Sequence, residues 1–477
     1  MGEASYKHQC IFHDAEGLRF GLSSFSHPSR VALIYAFSRE DPLRVYDPQD
    51  LLRDHEPKIR ELFIDSLDWR ADDLHRVGEH CSLIETESLD LAGLIAYGGR
   101  SSAIFYQMWF TEHHPDICSV GPIKRWLEHA SLLLCQDIAL ANEINIGTSG
   151  YVLQGYALHA VRDYLVDQRN MLLGPDSRLR VYPVLEAVLG ISRTREEGAW
   201  ARGCLVFAEP DSIPQMDLLV EFSELNRPEV KNFKHVRKYL LAVEDSSRRL
   251  VSDGNSIVGL IEKPVPPASI VAEFHGNFGY LYLGDECICS FFEGSFHATT
   301  RKAKMVQLEE ALLEIPFDQD LRHSLFQRVM RIVHRAQERK WGCTLILDFN
   351  REPLGIIGQT MSSPLDISDD TMLELGISLA KMDGALHIDR KLQLLGFGCL
   401  LDGHRVSWED SSRGARYNSA LRFTAENENI IVVVVSSDQP VSVIQGGIDI
   451  QANCEWDPVY ENFQPPTLEE WLEKSEV

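Results

Sequence analysis

The chain has 477 residues, and its 46 Lys and Arg against 71 Asp and Glu give a formal net charge of −25 at pH 7. A surface this acidic repels nucleic acid and anionic lipid except where basic residues are locally concentrated, which argues against general DNA or RNA binding. The hydrophobic fraction of 44% and the charged fraction of 25% exclude wholesale disorder. The length predicts about three domains, or two larger ones.

The ten cysteines are scattered along the chain, and only Cys287 and Cys289 lie close together. Their single intervening residue fits neither a redox pair nor a zinc site, so we expect reduced, buried thiols. The N-terminus lacks the basic start and apolar core of a signal peptide, and no apolar run approaches the roughly 20 residues of a membrane span. We therefore expect a cytoplasmic protein with no membrane partner.

Residues 1–300 are predicted to form an α+β region. Residues 31–37 are typical of a buried strand, and residues 122–170 show helical periodicity in two helices that residues 147–150 break. Dense prolines at 264–267 indicate either a linker between two subdomains or a turn inside one. The alternating segments 270–282 and 287–292 then predict a β-meander.

The last third of the chain predicts an α/β domain, at about residues 318–455, with a central mixed sheet flanked by helices. A helix at 305–313 and a soft boundary between 298 and 318 precede this domain. Its predicted helices are 321–336, one capped by Asp369 or Asp370, and 416–426. Its predicted strands are 343–349, 386–388, 394–400, 430–435 and 441–444. Residues 456–477 remain as a tail that ends in an acidic amphipathic segment.

Three short segments suggest chemistry, but the residues favour a simpler interpretation. The histidine pair in 113–116 is more typical of a surface turn than of a metal site. The glycines of 97–102 are more typical of a turn than of a phosphate loop, because the Lys-Ser/Thr end of a P-loop is missing. Residues 396–398 could begin a dinucleotide fingerprint, but Leu401 replaces its third glycine. No Gly-x-Ser-x-Gly motif supports a serine hydrolase.

Two other segments are stronger candidates. In Asp383-Gly384-Ala385, two minimal residues would let a nucleotide approach the backbone while the carboxylate holds a divalent cation; the alternative is a helix end with an Asp-Gly turn. Residues 413–422 carry three arginines and no acid, and Gly414-Ala415 would open a helix whose first N–H groups face an anion. The alternative for this segment is a solvated basic face.

Taken together, the order and spacing of these segments resemble the diadenylate cyclase domain of the DNA integrity scanning protein and its relatives. The signatures of that family are Asp-Gly-Ala and Gly-Thr-Arg-His-Arg-Ala-Ala. Residues 395–400 also resemble the small-residue stretch between the two signatures. The resemblance covers about residues 318–450, and residues 1–300 resemble, in order and size only, the sensor-type extensions that precede such cyclases.

The resemblance implies a role for each matching position. Asp383 would bind the metal and activate the 3′-hydroxyl. The acid of the family's Ser-Glu-Glu segment falls near Asp438, as a second metal ligand, and Ser437 stands where the other glutamate would be. The implied nucleotide-binding residues are Gly384, Ala385, Gly398, Leu400, Arg413, Gly414, Ala415, Arg416, Tyr417 and Asn418.

The phosphate loop departs from the family pattern at three positions. Ala415 replaces the family threonine, Tyr417 replaces the histidine, and Asn418 replaces the second arginine. Two phosphate ligands are therefore missing or altered, although Arg413 and Arg422 could supply replacement charge.

The implied function is condensation of two ATP molecules into cyclic di-AMP with Mg²⁺ or Mn²⁺, under control of the N-terminal region. Because each domain would hold one ATP, two cyclase domains must face each other in a homo-oligomer. The altered loop leaves open a catalytically degenerate domain that binds a nucleotide as a regulatory module. A third alternative is an unrelated α/β interaction protein.

Overall fold

The structure is a computed structural model, and it describes residues 3–66, 68–70, 84–112, 117–140, 148–175, 177–195, 198–244, 246–276, 278–292, 294–300, 305–339, 341–406, 409, 413–436, 441–450 and 464–475. The histidine pair at 113–114, Ser437 and Asp438 therefore lie outside the described residues. None of the helices in the described part of the chain is both long enough and apolar enough to cross a membrane.

The chain begins with a helix and an antiparallel sheet. The helix is α1 (Glu3–Phe25), and the five strands are β1 (Val31–Ala36), β2 (Arg44–Tyr46), β3 (Ile84–Thr86), β4 (Leu94–Arg100) and β5 (Phe105–Thr111). They pair in the order β2-β1-β5-β4-β3. A short helix, α2 (Glu56–Arg60), follows β2 and continues as a π-helical turn over Glu61–Asp65.

The prediction of a turn at residues 97–102 is wrong for residues 97–100, because Gly98 and Gly99 lie inside β4; residues 101–102 belong to the connection from β4 to the next strand. A Cβ atom at Gly98 would meet the Gln107 side chain at 2.1 Å, and one at Gly99 would meet the Tyr106 hydroxyl at 2.0 Å. These glycines therefore make room for side chains of the neighbouring strand.

The next helices divide between two surfaces: the first three contact α1, and the last two contact the sheet described next. They are α3 (Gly121–Ala139), α4 (Thr148–Gln154), α5 (Ala157–Leu173), α6 (Val181–Arg193) and α7 (Phe233–Leu240). The predicted helix break is wrong for residues 148–150, which form the first turn of α4. Gly17 of α1 and Gly150 approach so closely that a Cβ at Gly17 would lie 2.4 Å from the Gly150 Cα. The two glycines therefore allow α1 and α4 to pack in close contact.

A second sheet of eight strands follows in residues 202–297. Its strands are β6 (Arg202–Phe207), β7 (Val220–Glu221), β8 (Arg249–Ser252), β9 (Ile257–Ile261), β10 (Ile270–His275), β11 (Phe278–Leu283), β12 (Glu286–Phe292) and β13 (Ser295–His297). The predicted meander is confirmed, because β10, β11 and β12 pair in sequence and antiparallel. One buried cluster that runs from Cys10 to Ala298 joins this sheet to the helices and the first sheet.

The C-terminal third forms a seven-stranded mixed sheet with helices, as predicted. The helices are α8 (Val306–Leu313), α9 (Gln319–Glu338), α10 (Asp370–Leu379) and α11 (Ala415–Glu426). The strands are β14 (Cys343–Asp348), β15 (Gln359–Asp366), β16 (Ala385–Asp389), β17 (Gln393–Cys399), β18 (Ile430–Val435), β19 (Ser442–Gln445) and β20 (Ile448–Asp449). The order is β15-β17-β16-β14-β18-β19-β20, and only β14 and β16 are parallel neighbours.

Helix α9 carries the predicted apolar stripe into the core of this sheet. Leu325, Val329 and Val333 are buried there, whereas Leu321, which the periodicity placed in the stripe, is 41% exposed. Leu321 belongs to the first turn of α9, where the N-cap Asp318 accepts its backbone N–H at 3.0 Å. The apolar face of the helix therefore begins one turn later.

The acidic tail returns to the N-terminal sheet as a helix, α12 (Leu468–Ser475). Val45 of the edge strand β2 donates its N–H to the Pro466 carbonyl at 3.1 Å, and Leu468 donates to the Leu43 carbonyl at 2.8 Å. Leu468 and Leu472 are buried among residues of β1, β2 and α2. The C-terminal helix is thereby packed against the N-terminal sheet.

Candidate nucleotide site

Four strand ends meet at one edge of the C-terminal sheet. Thr344 near the start of β14 pairs with Ala385 at the start of β16. Ala385 also pairs with Cys399 at the end of β17, and Val435 at the end of β18 pairs with Cys343. The segments that the sequence singled out precede or follow these strands, so the fold brings them to the same edge.

The first signature packs backbone against backbone. Gly384 has φ +97°, and a Cβ there would lie 2.4 to 2.8 Å from the C, Cα and O atoms of Gly398. Gly398 itself has φ +60°. Only glycine combines such a dihedral with such an approach, so these two residues keep the entry to β16 narrow and free of side chains. Ala385, the next residue, is buried as the first residue of the strand.

Asp383 and Arg416 face each other across this edge. The Arg416 Nη2 atom lies 3.3 Å from Asp383 Oδ1; the Asp383 side chain is fully exposed and that of Arg416 is 48% exposed. An exposed pair of this kind is worth only about 0–1 kcal/mol, so either group can exchange its partner for a ligand. The Arg416 guanidinium passes over Gly342, where a Cβ would lie 2.7 Å from Nη1.

Helix α11 begins at this edge with exposed backbone donors. Its N-cap is Gly414, with φ +83°, and no side chain supplies a capping hydrogen bond at that position. Gly414, Ala415 and Arg416 are all exposed. The first N–H groups of a helix lack intrahelical acceptors and carry a partial positive charge, which suits an anion such as a phosphate.

The other two arginines of the segment are engaged by protein groups. Arg413 donates to Ser442 Oγ at 2.7 Å, lies 3.3 Å from Asp449 Oδ2, and stacks over the Tyr417 ring at 4.3 Å. Arg422 binds both carboxylate oxygens of Glu409 at 2.6 and 2.8 Å, and its hydrogen bonds lower the pKa of that carboxyl to about 2. Of the three, Arg416 is the one placed against Asp383.

Tyr417 and Asn418 contribute differently from the residues they replace in the family pattern. Tyr417 is half-buried and packs against the apolar cluster between α11 and β18. Asn418 is also half-buried, and its backbone N–H bonds the Gly414 carbonyl at 3.3 Å. Both residues thus support the start of α11.

Exposed apolar side chains border the site, and two of them could not be found from the motifs. Leu400, which the resemblance named, is 60% exposed and donates its N–H to the Ile357 carbonyl at 2.8 Å. Ile357 is 71% exposed, and Met382, beside Asp383, is 51% exposed. Large exposed apolar groups of this kind suit an apolar ligand face or a second protein surface.

A buried polar cluster holds the loop that carries Ile357. Asp348, fully buried at the far end of β14, accepts from His387 Nε2 at 3.0 Å, from Asn350 Nδ2 at 2.9 Å and from the Leu354 N–H at 2.7 Å. Burial alone would raise the pKa of Asp348, but these hydrogen bonds outweigh it and lower the pKa. No sequence motif marks this cluster, and His387 reaches Asp348 through the pairing of β14 with β16.

The oxygen ligands at this site are of the kind that a divalent cation such as Mg²⁺ prefers. Mg²⁺ commonly binds one or two carboxylates together with substrate phosphates and waters, and Asp383 offers one exposed carboxylate near the N-terminus of α11. Within the described ranges, no group of three or more potential metal ligands occurs.

Models of known families match three successive parts of the chain. Residues 331–448 match the nucleotide-binding domain of the DisA bacterial checkpoint controller family. Residues 5–175 match the probable sensor domain DACND, and residues 182–289 match the probable sensor domain DACNH. The comparison with curated proteins found no match.

Two solved structures are similar to part of the chain. A hypothetical membrane spanning protein from Bacillus cereus is 18% identical over 26% of this chain and 61% of its own, and a double cysteine mutant of DacA from Staphylococcus aureus is 20% identical over 26% of this chain and 86% of its own. Both TM-scores are 0.22, so the assignment depends on the family models. The predicted resemblance is thus confirmed, and the chain combines a C-terminal domain of the DisA-type diadenylate cyclase family with two N-terminal domains of probable sensor families.

Proposed function

We propose that this protein is a diadenylate cyclase that condenses two ATP molecules into cyclic di-AMP. The observation that carries the proposal is the Asp383–Arg416 pair, 3.3 Å apart, at the edge where the glycines and the open N-terminus of α11 converge. A carboxylate, an exposed cation and uncapped N–H groups are what a metal-bound triphosphate requires.

Each group has a role in this reaction. Arg416 and the first N–H groups of α11 bind the phosphates and stabilise negative charge on the departing pyrophosphate. Asp383 holds Mg²⁺ or Mn²⁺, which when bound polarises the α-phosphate and lowers the pKa of the attacking 3′-hydroxyl. Each 3′-hydroxyl loses its proton to solvent as its oxygen forms a bond to the α-phosphorus of the other ATP. The bond from that phosphorus to the oxygen bridging the α- and β-phosphates breaks, and pyrophosphate leaves with that oxygen.

The reaction requires two sites that face each other, so we propose that the active form is a homo-oligomer. The exposed side chains of Ile357, Met382 and Leu400 would be covered in that form, either by the adenine or by the second domain. Asp438, which the family pattern names as a second metal ligand, remains a proposal. Control by the N-terminal region is likewise proposed, on the strength of the two probable sensor domains.

The test is incubation of the full chain with ATP and Mn²⁺, followed by mass spectrometry of the nucleotides. Asp383→Asn should lose product, because the change is nearly isosteric and removes the metal-binding charge. Asp217→Asn is the matched control, since Asp217 is an exposed carboxylate paired with Lys263 in the N-terminal region. Equal output from Asp383→Asn and the native protein would remove Asp383 from the mechanism.

A second function is favoured by the partners of Arg413 and Arg422. Because both guanidiniums are engaged by acids of the protein, the site offers fewer phosphate ligands than the family signature does. A domain with Arg416 alone could bind ATP or a cyclic dinucleotide without turning it over. It would show a nucleotide-dependent rise in melting temperature and no cyclic di-AMP under any divalent metal.

A further inference from the structure

Two cysteines from separate parts of the N-terminal region meet in the structure. Cys287 is close to Cys289 in the sequence, yet its side chain forms a hydrogen bond with the thiol of Cys118. Cys118 lies in the connection between β5 and α3, within the DACND match, and Cys287 lies in β12, within the DACNH match. The contact therefore joins the two probable sensor domains.

Contacts of the neighbouring residues hold the two cysteines side by side. The Cys118 N–H donates to the carbonyl of Ala298, the residue after β13, at 2.7 Å. The hydroxyl of Ser119 donates to Glu286 Oε1, one position before Cys287, at 3.4 Å. The fold thus aligns the segment before α3 with the start of β12. Thiols in hydrogen-bond contact need only a short movement to reach the roughly 2 Å of an S–S bond.

The surroundings of Cys287 favour its reactive form. Both Cys118 and Cys287 are half-buried. The hydrogen bond from Cys118 lowers the pKa of Cys287, although burial and the carboxylates of Glu273 and Glu286 act in the opposite direction. Burial instead raises the pKa of Cys289, on the same strand. Because the thiolate rather than the thiol is the nucleophile, Cys287 is the more reactive cysteine of β12.

We propose that Cys118 and Cys287 form a disulfide when the protein meets a peroxide. A partly exposed thiolate beside a second thiol is the arrangement of redox-sensing cysteine pairs. In the first step, the Cys287 sulfur bonds to one oxygen of hydrogen peroxide, the O–O bond breaks and hydroxide leaves, which gives a sulfenic acid. In the second step, the Cys118 sulfur bonds to the Cys287 sulfur, the S–O bond breaks, and the oxygen leaves as water with the Cys118 proton. The peroxide gains the two electrons that the two sulfurs lose.

The disulfide would connect the two probable sensor domains covalently. It would fix the segment before α3 against β12, where hydrogen bonds alone now hold it. An effect of this bond on ATP turnover rests on the proposed function, whereas formation of the bond does not.

The test treats the full chain with excess hydrogen peroxide in the absence of nucleotide, blocks the remaining thiols with iodoacetamide and maps the peptides by mass spectrometry without reduction. We expect peptides joined through Cys118 and Cys287, lighter by two hydrogen atoms than the reduced peptides and separated again by dithiothreitol. Fragment ions distinguish Cys287 from Cys289. In a mixture of unlabelled and nitrogen-15-labelled protein, each joined pair should carry a single isotope, because both cysteines belong to one chain.

Three variants assign the roles of the two thiols. Cys118→Ser should lose the joined peptides, and its Cys287 should persist as a sulfenic acid that dimedone traps. Cys287→Ser should lose both the joined peptides and the dimedone adduct in β12. Cys204→Ser is the matched control and should form the joined peptides as the native protein does, since Cys204 is also half-buried but burial raises its pKa to about 12.

Three results would overturn the proposal. They are no joined peptides in the native protein, joined peptides that carry both isotopes, or loss of the joined peptides in Cys204→Ser. The native protein alone supplies the first two results, so a variant that fails to fold does not prevent a decision. Because no nucleotide is present, the outcome is separate from whether the protein makes cyclic di-AMP.

Discussion

The close contact between Gly384 and Gly398 makes a quantitative prediction about the nucleotide site. Gly384→Ala would place a Cβ 2.4 Å from the Gly398 carbonyl carbon at φ +97°. The positive φ alone costs about 1–2 kcal/mol for an L residue, and forcing an extra carbon into a packed position typically adds about 1–3 kcal/mol. We therefore expect Gly384→Ala to lower the local free energy of unfolding around β16 by about 2–5 kcal/mol.

Gly414→Ala provides the matched control. Gly414 also has a positive φ, +83°, but a Cβ there would meet nothing within 4 Å. Only the backbone strain of about 1–2 kcal/mol should appear, so the two variants isolate the steric contribution of about 1–3 kcal/mol.

The assay is hydrogen exchange followed by mass spectrometry, because it reports on β16 separately from the N-terminal sheets. Every 1.4 kcal/mol corresponds to about a tenfold change, so exchange in β16 should accelerate by roughly one and a half to three and a half orders of magnitude in Gly384→Ala. In Gly414→Ala it should change little at β16. Equal acceleration in the two variants would refute the contact with Gly398 as the reason for glycine at 384.

Three further predictions concern other parts of the chain. Arg416→Gln should reduce the ATP-dependent rise in melting temperature more than Arg422→Gln, since Arg422 is held by its own carboxylate partner; equal losses would contradict the placement of the phosphates. Leu472→Ala, at a position 2% exposed, should lose about 2–5 kcal/mol of packing and make α12 an early target in limited proteolysis, whereas Glu473→Ala should not. The pKa of Asp348 is lowered on folding, so its stabilising effect is present above the unfolded pKa near 3.9 and is lost as the pH falls through the lower folded pKa. The difference in melting temperature between the native protein and Asp348→Asn should therefore be large at pH 7 and shrink below about pH 4. A difference that stays constant with pH would refute this reasoning.

The elements that could be predicted from the sequence are those whose own apolar residues show that they are buried. The strand Ile430–Val435 is a continuous apolar run and lies buried next to the centre of its sheet. Helix α1 was missed because its sequence mixes His, Gly and Ser with apolar residues, and its glycines serve a contact with α4 that only the fold reveals. Strand β15 was missed because it is an exposed edge strand with polar residues and Pro364.

The sequence identified individual residues of the candidate site but not the residues that bind them. Local motifs identified Asp383 and Arg416 as the groups that would act together, and the structure brings them within 3.3 Å. The engagement of Arg413 by Asp449 and of Arg422 by Glu409 could not be predicted, because each pairing depends on a residue from another part of the chain. Ile357 escaped notice for the same reason, since its link to the site is a backbone bond with Leu400.

Equilibrium binding of α,β-methylene ATP, which cannot be cleaved at the bond that breaks in the reaction, tests the central claim most directly. The account predicts saturable binding by the full chain that requires Mg²⁺ or Mn²⁺, is lost or strongly weakened in Asp383→Asn, and is unchanged in Asp217→Asn. Binding that is independent of metal and unaffected by Asp383→Asn would show that the nucleotide does not occupy this edge of the sheet.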